Sequence, residues 1–470
     1  MKAPRRLKFV GLGLALVLAT ALGYGAYLLS RLAPIGTAYA AKTLCSGVYV
    51  AGRPAPDVIR EDIVRGNHPL LRLITPSLDA QRRMATAAFL GLARRDAEFH
   101  AGLGCTLAIG TPAAAASAGS IADAAMSGAH PACSEDLSAG TPGAGVDASK
   151  LRAAVDWAFA EPDAAKLRRT RAVVVLHDGR IVAERYAPGF CAATPMPGWS
   201  MTKTVAAVLI GTLVRSGKLS VDQKGLLPEW RSAGDPRAEI TLDELLRMTS
   251  GLHFTERYGD PGADVMLMLF ERADGAGYAI DKPLDAVPGT RWQYSSGTSN
   301  ILSRVIRRAV GGADQDYLAF PRRALFAPVR MRSAVIEPDA SGTFVTSSYM
   351  YASARDWARL GQLLLQDGVW EGSRILPPGW VKYMAMLTPQ STRKDFGAHL
   401  WLKVSPPFNS LIVPPPKLPP DAFHAIGYEG QFVSVIPSRR LVVVRLGLSR
   451  GDHVWDHEAF LARLLDALPR

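Results

Sequence analysis

Long apolar runs, clustered charge and cysteine are all scarce in this chain. One uncharged stretch, "FVGLGLALVLATALGYGAYLL" at 9–29, is long enough to cross a bilayer, for which about 20 apolar residues are needed. The rest is read as one exported soluble body. Basic residues exceed acidic ones by a net charge of +12, but they gather densely only in "MKAPRRLK" at the start. Nucleic-acid binders concentrate charge on one face, whereas scattered arginines are a solvated surface. No nucleic-acid partner is expected. Four cysteines (Cys45, Cys105, Cys133 and Cys191) stand at spacings that resemble no zinc site. In an oxidising compartment they allow two disulfides in three connectivities, with Cys45–Cys105 favoured.

Lys2, Arg5, Arg6 and Lys8 precede the 9–29 stretch and Arg31 alone follows closely. The positive-inside bias puts the N-terminus in the cytoplasm and the rest outside. A cleaved signal has a shorter apolar core, so a retained anchor is favoured over cleavage at "AYAA", 38–41. The expectation is a single-pass inner-membrane protein with its body on the periplasmic side, the membrane being one partner. Residues 1–34 are read as the anchor or signal segment and 35–149 as an N-terminal extension with some helix. The extension ends in a low-complexity Ala/Gly/Ser/Pro linker at 110–145.

From 150 to 470 the texture changes. "LRAAVDWAFAE" has helical spacing, and "AVVVLHDGRIVAERYA" reads as two strands around Asp178-Gly179. "TLDELLRMTSGL" is a short helix with Thr241 as N-cap. "SARDWARLGQLLLQDG" is an amphipathic helix, "QFVSVIPSRRLVVVRLGL" a second hairpin and "EAFLARLLDALP" a closing helix. Strands at both ends with helices between predict an α+β domain whose end strands meet in one antiparallel sheet.

The chemistry centres on "GWSMTKTVAAVLIGTLVRSG". The run after Ser200 is apolar nearly all round, as in a buried helix. Ser200 and Lys203 are spaced i, i+3 and share a helix face. In the first turn, free N–H groups and the helix dipole favour developing negative charge. A lysine buried there loses proton affinity and activates the neighbouring hydroxyl as a nucleophile. A second Ser-x-x-Lys, Ser391 to Lys394 in "PQSTRKDF", lies in a polar stretch and is read as surface.

Two further stretches bear on the same chemistry. In "RWQYSSGTSN", Tyr294 either passes a proton between nucleophile and leaving group or is a buried tyrosine with a satisfied hydroxyl. In "HAIGYEGQFVSVIP", Gly427 and Gly430 either let a strand edge approach a substrate or mark a bulge. With the first alternative, the N–H groups of Gln431 and Ser200 form an oxyanion hole.

Together these residues resemble the serine β-lactamase and penicillin-binding-protein superfamily. The order matches: Ser-x-x-Lys at 200–203, a Tyr-x-(Asn/Ser) element at 294–296 and a strand-borne triad at 428–430. "GWSMTKT", "LLRMTSGL" and "GYEGQFVSVIPSRRLVVV" are most similar to the branch of esterases and 6-aminohexanoate-dimer hydrolases. The resemblance covers residues 150–465. It implies an antiparallel sheet flanked by helices plus an all-helical subdomain. It also implies Ser200 as nucleophile, Lys203 as base, Tyr294 as second proton-transfer group and Gln431 as oxyanion donor. Ser296 takes the position often held by asparagine, and Tyr428 and Gly430 belong to the substrate-side triad. "FTERYGDPGADV" resembles a substrate loop, which makes Tyr258 a candidate. No metal or organic cofactor is implied.

The triad departs from the Lys-Thr-Gly usual in β-lactamases. Tyr428-Glu429-Gly430 would set Glu429 or a phenol against a substrate carboxylate, which favours a small-molecule ester or uncharged amide. Two rivals stand beside the hydrolase reading. One is a non-catalytic envelope protein that keeps the fold for binding or scaffolding, and the other a D,D-peptidase or β-lactamase. "HVWDHE" (His453, Asp456, His457) is half a metal site without a third ligand and is read as a polar helix start. The proline-rich 406–421 stretch is a stiff loop beside the last strands.

Overall fold

The computed structural model describes residues 5–110, 145–412 and 414–469. The low-complexity stretch from 111 to 144, with Cys133 in it, lies outside the described residues. The chain opens with α1 (Arg5–Cys45), 41 residues long, or about 60 Å at 1.5 Å per residue. Among the described residues it is the one helix long and apolar enough to cross a membrane, with a mean hydropathy of 1.4 in its apolar window. Its outer part exposes Leu16, Val17 and Leu18, whereas Ala38, Ala41 and Leu44 in its inner part are buried. The helix runs without a break through the boundary expected at residue 34.

After the single turn α2 (Ala55–Asp57) come four antiparallel strands in sequence order: β1 (Ile74–Asp79), β2 (Met84–Phe89), β3 (Leu92–His100) and β4 (Gly104–Leu107). The stretch "MATAAFLGLARRDAEF" forms β2 and β3 against its local preference. Alanine, leucine and arginine favour helix by intrinsic propensity. However, every second residue of β2, Ala85, Ala87 and Phe89, is buried against the inner half of α1, so packing at strand period overrides propensity. Leu90 and Gly91 join β2 to β3, both at positive φ (48° and 78°), the geometry of a two-residue type I′ turn. Cys45 and Cys105 are disulfide-bonded and staple the end of α1 to β4.

The body is α+β, with antiparallel sheets and helices. Its main sheet has the order β12-β13-β14-β5-β6, built from β5 (Thr170–His177), β6 (Arg180–Tyr186), β12 (Phe423–Gly427), β13 (Gln431–Ile436) and β14 (Leu441–Gly447). The early and late hairpins meet where β14 pairs with β5. Both faces are covered. Val173 and Val175 face α3 (Ala148–Phe159) and α12 (His457–Ala467), while Val174 and Val442 face α10 (Ala354–Leu365). Two small sheets, β7 (Met196–Pro197) with β8 (Val335–Ile336) and β9 (Met350–Ala352), and β10 (Val369–Trp370) with β11 (Ser373–Arg374), lie between. Five helices fill the middle: α5 (Leu242–Leu246), α6 (Asp264–Phe270), α7 (Gly275–Ile280), α8 (Ser296–Val310) and α9 (Asp314–Pro321), followed later by α11 (Trp380–Met384). Thr241 caps α5 in a full capping box with Glu244.

The extension docks on the body through buried charge. Glu337, next to β8, is fully buried. It pairs with Lys42 of α1 and accepts from Ser46 Oγ (2.8 Å) and the Cys105 N–H (2.7 Å). Asp62 pairs with Arg53 of the extension and with Arg171 of β5. Removing one partner of a buried pair leaves the other charge uncompensated. Lys42→Met is therefore expected to cost about 3–5 kcal/mol, and pairing it with Glu337→Gln should recover most of the loss. Urea unfolding of the full chain in detergent, followed by near-UV circular dichroism, measures both. An unchanged midpoint in the single variant would refute the buried-pair account.

Candidate active site

The helix α4 (Met201–Arg215) begins at Ser200, its N-cap, where N–H groups without intrahelical partners gather. Trp199, one residue earlier, has φ +47°, so the chain enters the helix through a left-handed turn that projects Ser200 from the surface. Nearly every residue of α4 is buried. Its first turn therefore sits in protein rather than water, and Lys203 with it, at 3% exposure.

Lys203 Nζ donates to Ser200 Oγ at 3.0 Å, to Ser296 Oγ at 3.1 Å and to the Ser347 carbonyl at 2.8 Å. Asn300 of α8 holds Ser347 by accepting its N–H at 3.0 Å. Burial lowers the Lys203 pKa to about 8, against the opposing pull of Glu256. Glu256 accepts from Ser296 Oγ at 2.5 Å, from the Ser296 N–H at 2.8 Å and from the Tyr258 hydroxyl at 2.8 Å. Polar contacts thus run from Ser200 through Lys203 and Ser296 to Glu256 and Tyr258.

Tyr294 precedes Ser295, the N-cap of α8. Its ring packs between Trp401 (5.5 Å) and Phe396 (6.2 Å), with Lys203 Nζ 5.0 Å from its centroid. Burial raises the phenol pKa well above the usual tyrosine range, and its hydrogen bond with Ser200 offsets part of that. On the opposite wall, β12 ends at Gly427. A Cβ there would lie 2.1 Å from the Gly198 carbonyl oxygen, so glycine is what lets this strand close on the Ser200 turn. Gln431 turns its side chain away, donating to the Gly447 carbonyl at 2.7 Å and accepting the Gly447 N–H at 3.0 Å. What Gln431 offers a ligand is its backbone.

Glu429 does not confront the cleft as the triad pattern alone would have it. It is 3% exposed, pairs with Arg450 at 2.5 Å and accepts from Trp199 Nε1 at 3.2 Å. Its φ of +62° and that of Gly430, +81°, turn the chain so that Tyr428 stands outward at 46% exposure. Tyr428 stacks on Tyr258 (5.5 Å between centroids) and meets Trp199 edge-on (5.9 Å).

The structure thus brings Ser200, Lys203, Tyr294, Ser296 and Tyr258 together, with Tyr428 stacked on Tyr258, while Gln431 pairs with Gly427 and a Cβ on Gly430 would meet Arg445 and Ser449. Glu256, Ser347, Trp199 and Arg450 were missed. Glu256 sits two residues before Tyr258 but carries no motif signal, and Ser347 acts through a carbonyl that every residue has. The alternative Ser-x-x-Lys is not surface throughout. Ser391 is buried and donates to Asp395 at 2.9 Å, while Lys394 is exposed. Gly447-Leu448-Ser449-Arg450-Gly451 matches the Gly-x-Ser-x-Gly of a nucleophile elbow. No helix starts at Ser449, α12 beginning only at His457, and Ser449 Oγ accepts from Arg445 (2.8 Å) and donates to the Arg168 carbonyl. Asp456 caps α12 by accepting from the Ala459 N–H, and His457 is buried against the Phe432 ring, consistent with a helix start. In the proline-rich stretch, Phe408 packs on Phe432.

The beta-lactamase family profile matches residues 155–466. The 6-aminohexanoate-dimer hydrolase of Paenarthrobacter ureafaciens is 27% identical over 225 residues, 45% of this chain and 56% of that protein. The chain thus matches little more than half of that relative's length. A crystal structure of a Bacillus anthracis protein provisionally described as a 6-aminohexanoate-dimer hydrolase superposes with a TM-score of 0.52 at 21% identity. It covers 64% of this chain and 81% of its own. A penicillin-binding-protein homologue from Caulobacter crescentus gives a TM-score of 0.51 at 18% identity, covering 68% and 96%. Both show the fold.

The Gly427 contact yields a test. Gly427→Ala must move β12 or the Ser200 turn, because the atom it meets is backbone. A loss of about 1–3 kcal/mol is expected. Gly259→Ala, where a Cβ would meet nothing within 4 Å, should stay within about 0.5 kcal/mol. Thermal denaturation of both variants checks this, and equal stability would show that the strand does not close as described.

Proposed function

This chain belongs to the beta-lactamase family, whose members are serine hydrolases, and we propose that it is a membrane-anchored esterase or amidase acting through an acyl-enzyme on Ser200. The observation that carries the reading is the buried Lys203 Nζ, 3.0 Å from Ser200 Oγ and with its pKa lowered to about 8. A lysine on the surface would stay protonated well above that value. Neutral Lys203 takes the Ser200 proton as Oγ attacks the substrate carbonyl. Negative charge then develops on the carbonyl oxygen, opposite the N–H groups of Ser200 and Gln431. The Tyr294 phenol gives its proton to the leaving alcohol or amine and is reprotonated from Lys203, and the acyl bond to Ser200 replaces the bond broken. Water then attacks the acyl carbonyl and gives its proton to the neutral Lys203, which returns it to Ser200 Oγ as the acid leaves. Ser296 and Ser347 hold Nζ in place, and Glu256 sets its charge.

The substrate side favours an uncharged group. Arg450, the cation beside the triad, is held by Glu429, by the Tyr39 hydroxyl at 3.2 Å and by the carbonyls of Arg65 and Asp62, both at 2.6 Å. A penicillin carboxylate therefore meets Tyr428 rather than a cation. A lost charged hydrogen bond costs about 1.5–3 kcal/mol. The kcat/KM for a short-chain aryl ester should exceed that for benzylpenicillin by about a hundredfold or more, the upper end of that range. Comparable efficiency on the penicillin, measured on one preparation, would return the assignment to a β-lactamase or D,D-peptidase.

Ser200→Ala should abolish ester hydrolysis with the fold intact, and activity at the wild-type rate would place the nucleophile elsewhere. The base works only when neutral, so wild-type kcat/KM should rise with pH through about 8 and level off above. Glu256 raises the Lys203 pKa, so Glu256→Gln should move that limb to lower pH. A limb that stays put or moves up would remove Lys203 from the role of base.

A further inference from the structure

A cavity of about 430 Å³ opens beside the Ser200 cleft, within the size range of small-molecule pockets. Its inner end is walled by Trp199, Tyr258 and Tyr428, and its outer end by Leu29, Leu32 and Phe89. The inner wall borders the site. Trp199 adjoins Ser200, and Tyr258 donates to the Glu256 that holds Ser296. The charged and amide side chains on the lining are already engaged. Arg450 is paired with Glu429, and Asn67 donates to Tyr39 and to the carbonyls of Asp62 and Ile63. The cavity therefore offers apolar surface, which holds hydrocarbon.

Its outer end lies where the apolar stretch of α1 finishes. Leu29 is the last residue of that stretch, and two helical turns on, Gly36 packs so closely that a Cβ would lie 3.1 Å from Ile74 Cδ1. Ile74 pairs with Phe89, and Phe89 with Leu92. Around this end of the sheet Leu73, Leu90 and Leu92 are 45%, 67% and 73% exposed. Exposed leucines gathered beside the exit of an apolar helix fit the headgroup boundary of a bilayer better than open water. With α1 as the proposed anchor, the cavity mouth opens at the level where its apolar stretch ends.

We infer that the cavity takes the acyl chain of a long-chain ester drawn from that membrane surface, with the ester carbonyl presented to Ser200. The inference rests on Ser200 being the nucleophile, and the chemistry is unchanged. The Ser200 Oγ–carbonyl bond forms, the ester C–O bond breaks, the alcohol leaves with a proton, and water then frees the fatty acid.

The test uses the full chain in lipid nanodiscs. Each methylene that enters the cavity should raise kcat/KM about fourfold, the equivalent of 0.8 kcal/mol per buried CH₂. Nitrophenyl decanoate is expected to exceed the acetate by at least about a hundredfold, a conservative fraction of that sum. Ala33→Trp, which fills the cavity from α1, should cut the decanoate-to-acetate ratio at least about tenfold. In parallel, a diazirine-bearing decanoic acid is photolysed with the Ser200→Ala chain. Crosslinks are expected on peptides holding Leu71 and Phe89. Acetate hydrolysis without a preference for decanoate overturns the inference and leaves the hydrolase reading standing. Crosslinks confined to residues 9–29 also overturn it. Crosslinks at Leu71 and Phe89 with no ester hydrolysed support the chain site and sink the hydrolase reading instead.

Discussion

The site depends on an amine buried away from bulk water. Lys203 is embedded at the start of a helix that is apolar on every side. Its pKa falls from the ordinary 10.5 to about 8, which corresponds to about 3 kcal/mol of destabilisation. The folded value lies below the unfolded one. That cost is therefore complete below pH 8 and fades as pH climbs towards the ordinary lysine range, where the unfolded chain also releases its proton. Ser200, Ser296 and the Ser347 carbonyl surround Nζ with acceptors and keep the charged form tolerable in a dry setting. Each of those groups comes from a different element, so the α4 turn, the α8 start and the strand leading into β9 must all be in place before the lysine has its environment.

The extension takes part in this arrangement rather than merely lying beside it. Arg450 bridges from Glu429, in the strand triad, to Tyr39 on α1 and to the backbone around Asp62. Glu429 in turn receives the Trp199 indole, and Trp199 is the residue whose left-handed turn presents Ser200. A path of three hydrogen bonds therefore joins the N-terminal helix to the nucleophile turn. The charged residues on it are buried, where ion pairs are costly to break. The triad's loss of lysine and the gain of an N-terminal extension are thus one piece of construction. Glu429 is tolerable because Arg450 meets it, and Arg450 is fixed because the extension supplies acceptors.

Much of the body was legible in the sequence because its signals are local. Asp178-Gly179 marks the first hairpin, Thr241 caps its helix, and valine-rich runs give the central strands. Ser200 and Lys203 stood out because their spacing coincides with an apolar helix, a context that Ser391 and Lys394 lack. What escaped depends on contacts distant in sequence. The alanines of β2 favour helix by propensity, and only α1 laid over them accounts for the strand. Glu256 has no pattern of its own, and its meaning comes from Ser296, forty residues away. Glu429 looked like a carboxylate in the pocket because a sequence does not say which way a residue at positive φ will point its side chain. Ser449 lies in a nucleophile-like motif that the absence of a helix starting at the serine deprives of its geometry.

The unbroken run of α1 leaves no joint between its apolar outer half and the fold. From Leu29 to Cys45 the helix rises about 24 Å, and its inner end is clamped by Cys105, Glu337 and Arg450. A body on a loose tether samples many orientations above a bilayer. Anchored as proposed, this one has its height and heading set by the helix that carries it, so tilting the helix tilts the aperture. Helix tilt answers to hydrocarbon thickness. Under the proposed anchoring, bilayer thickness becomes a mechanical input, one that steers the angle at which the cleft meets molecules diffusing in the plane beneath it.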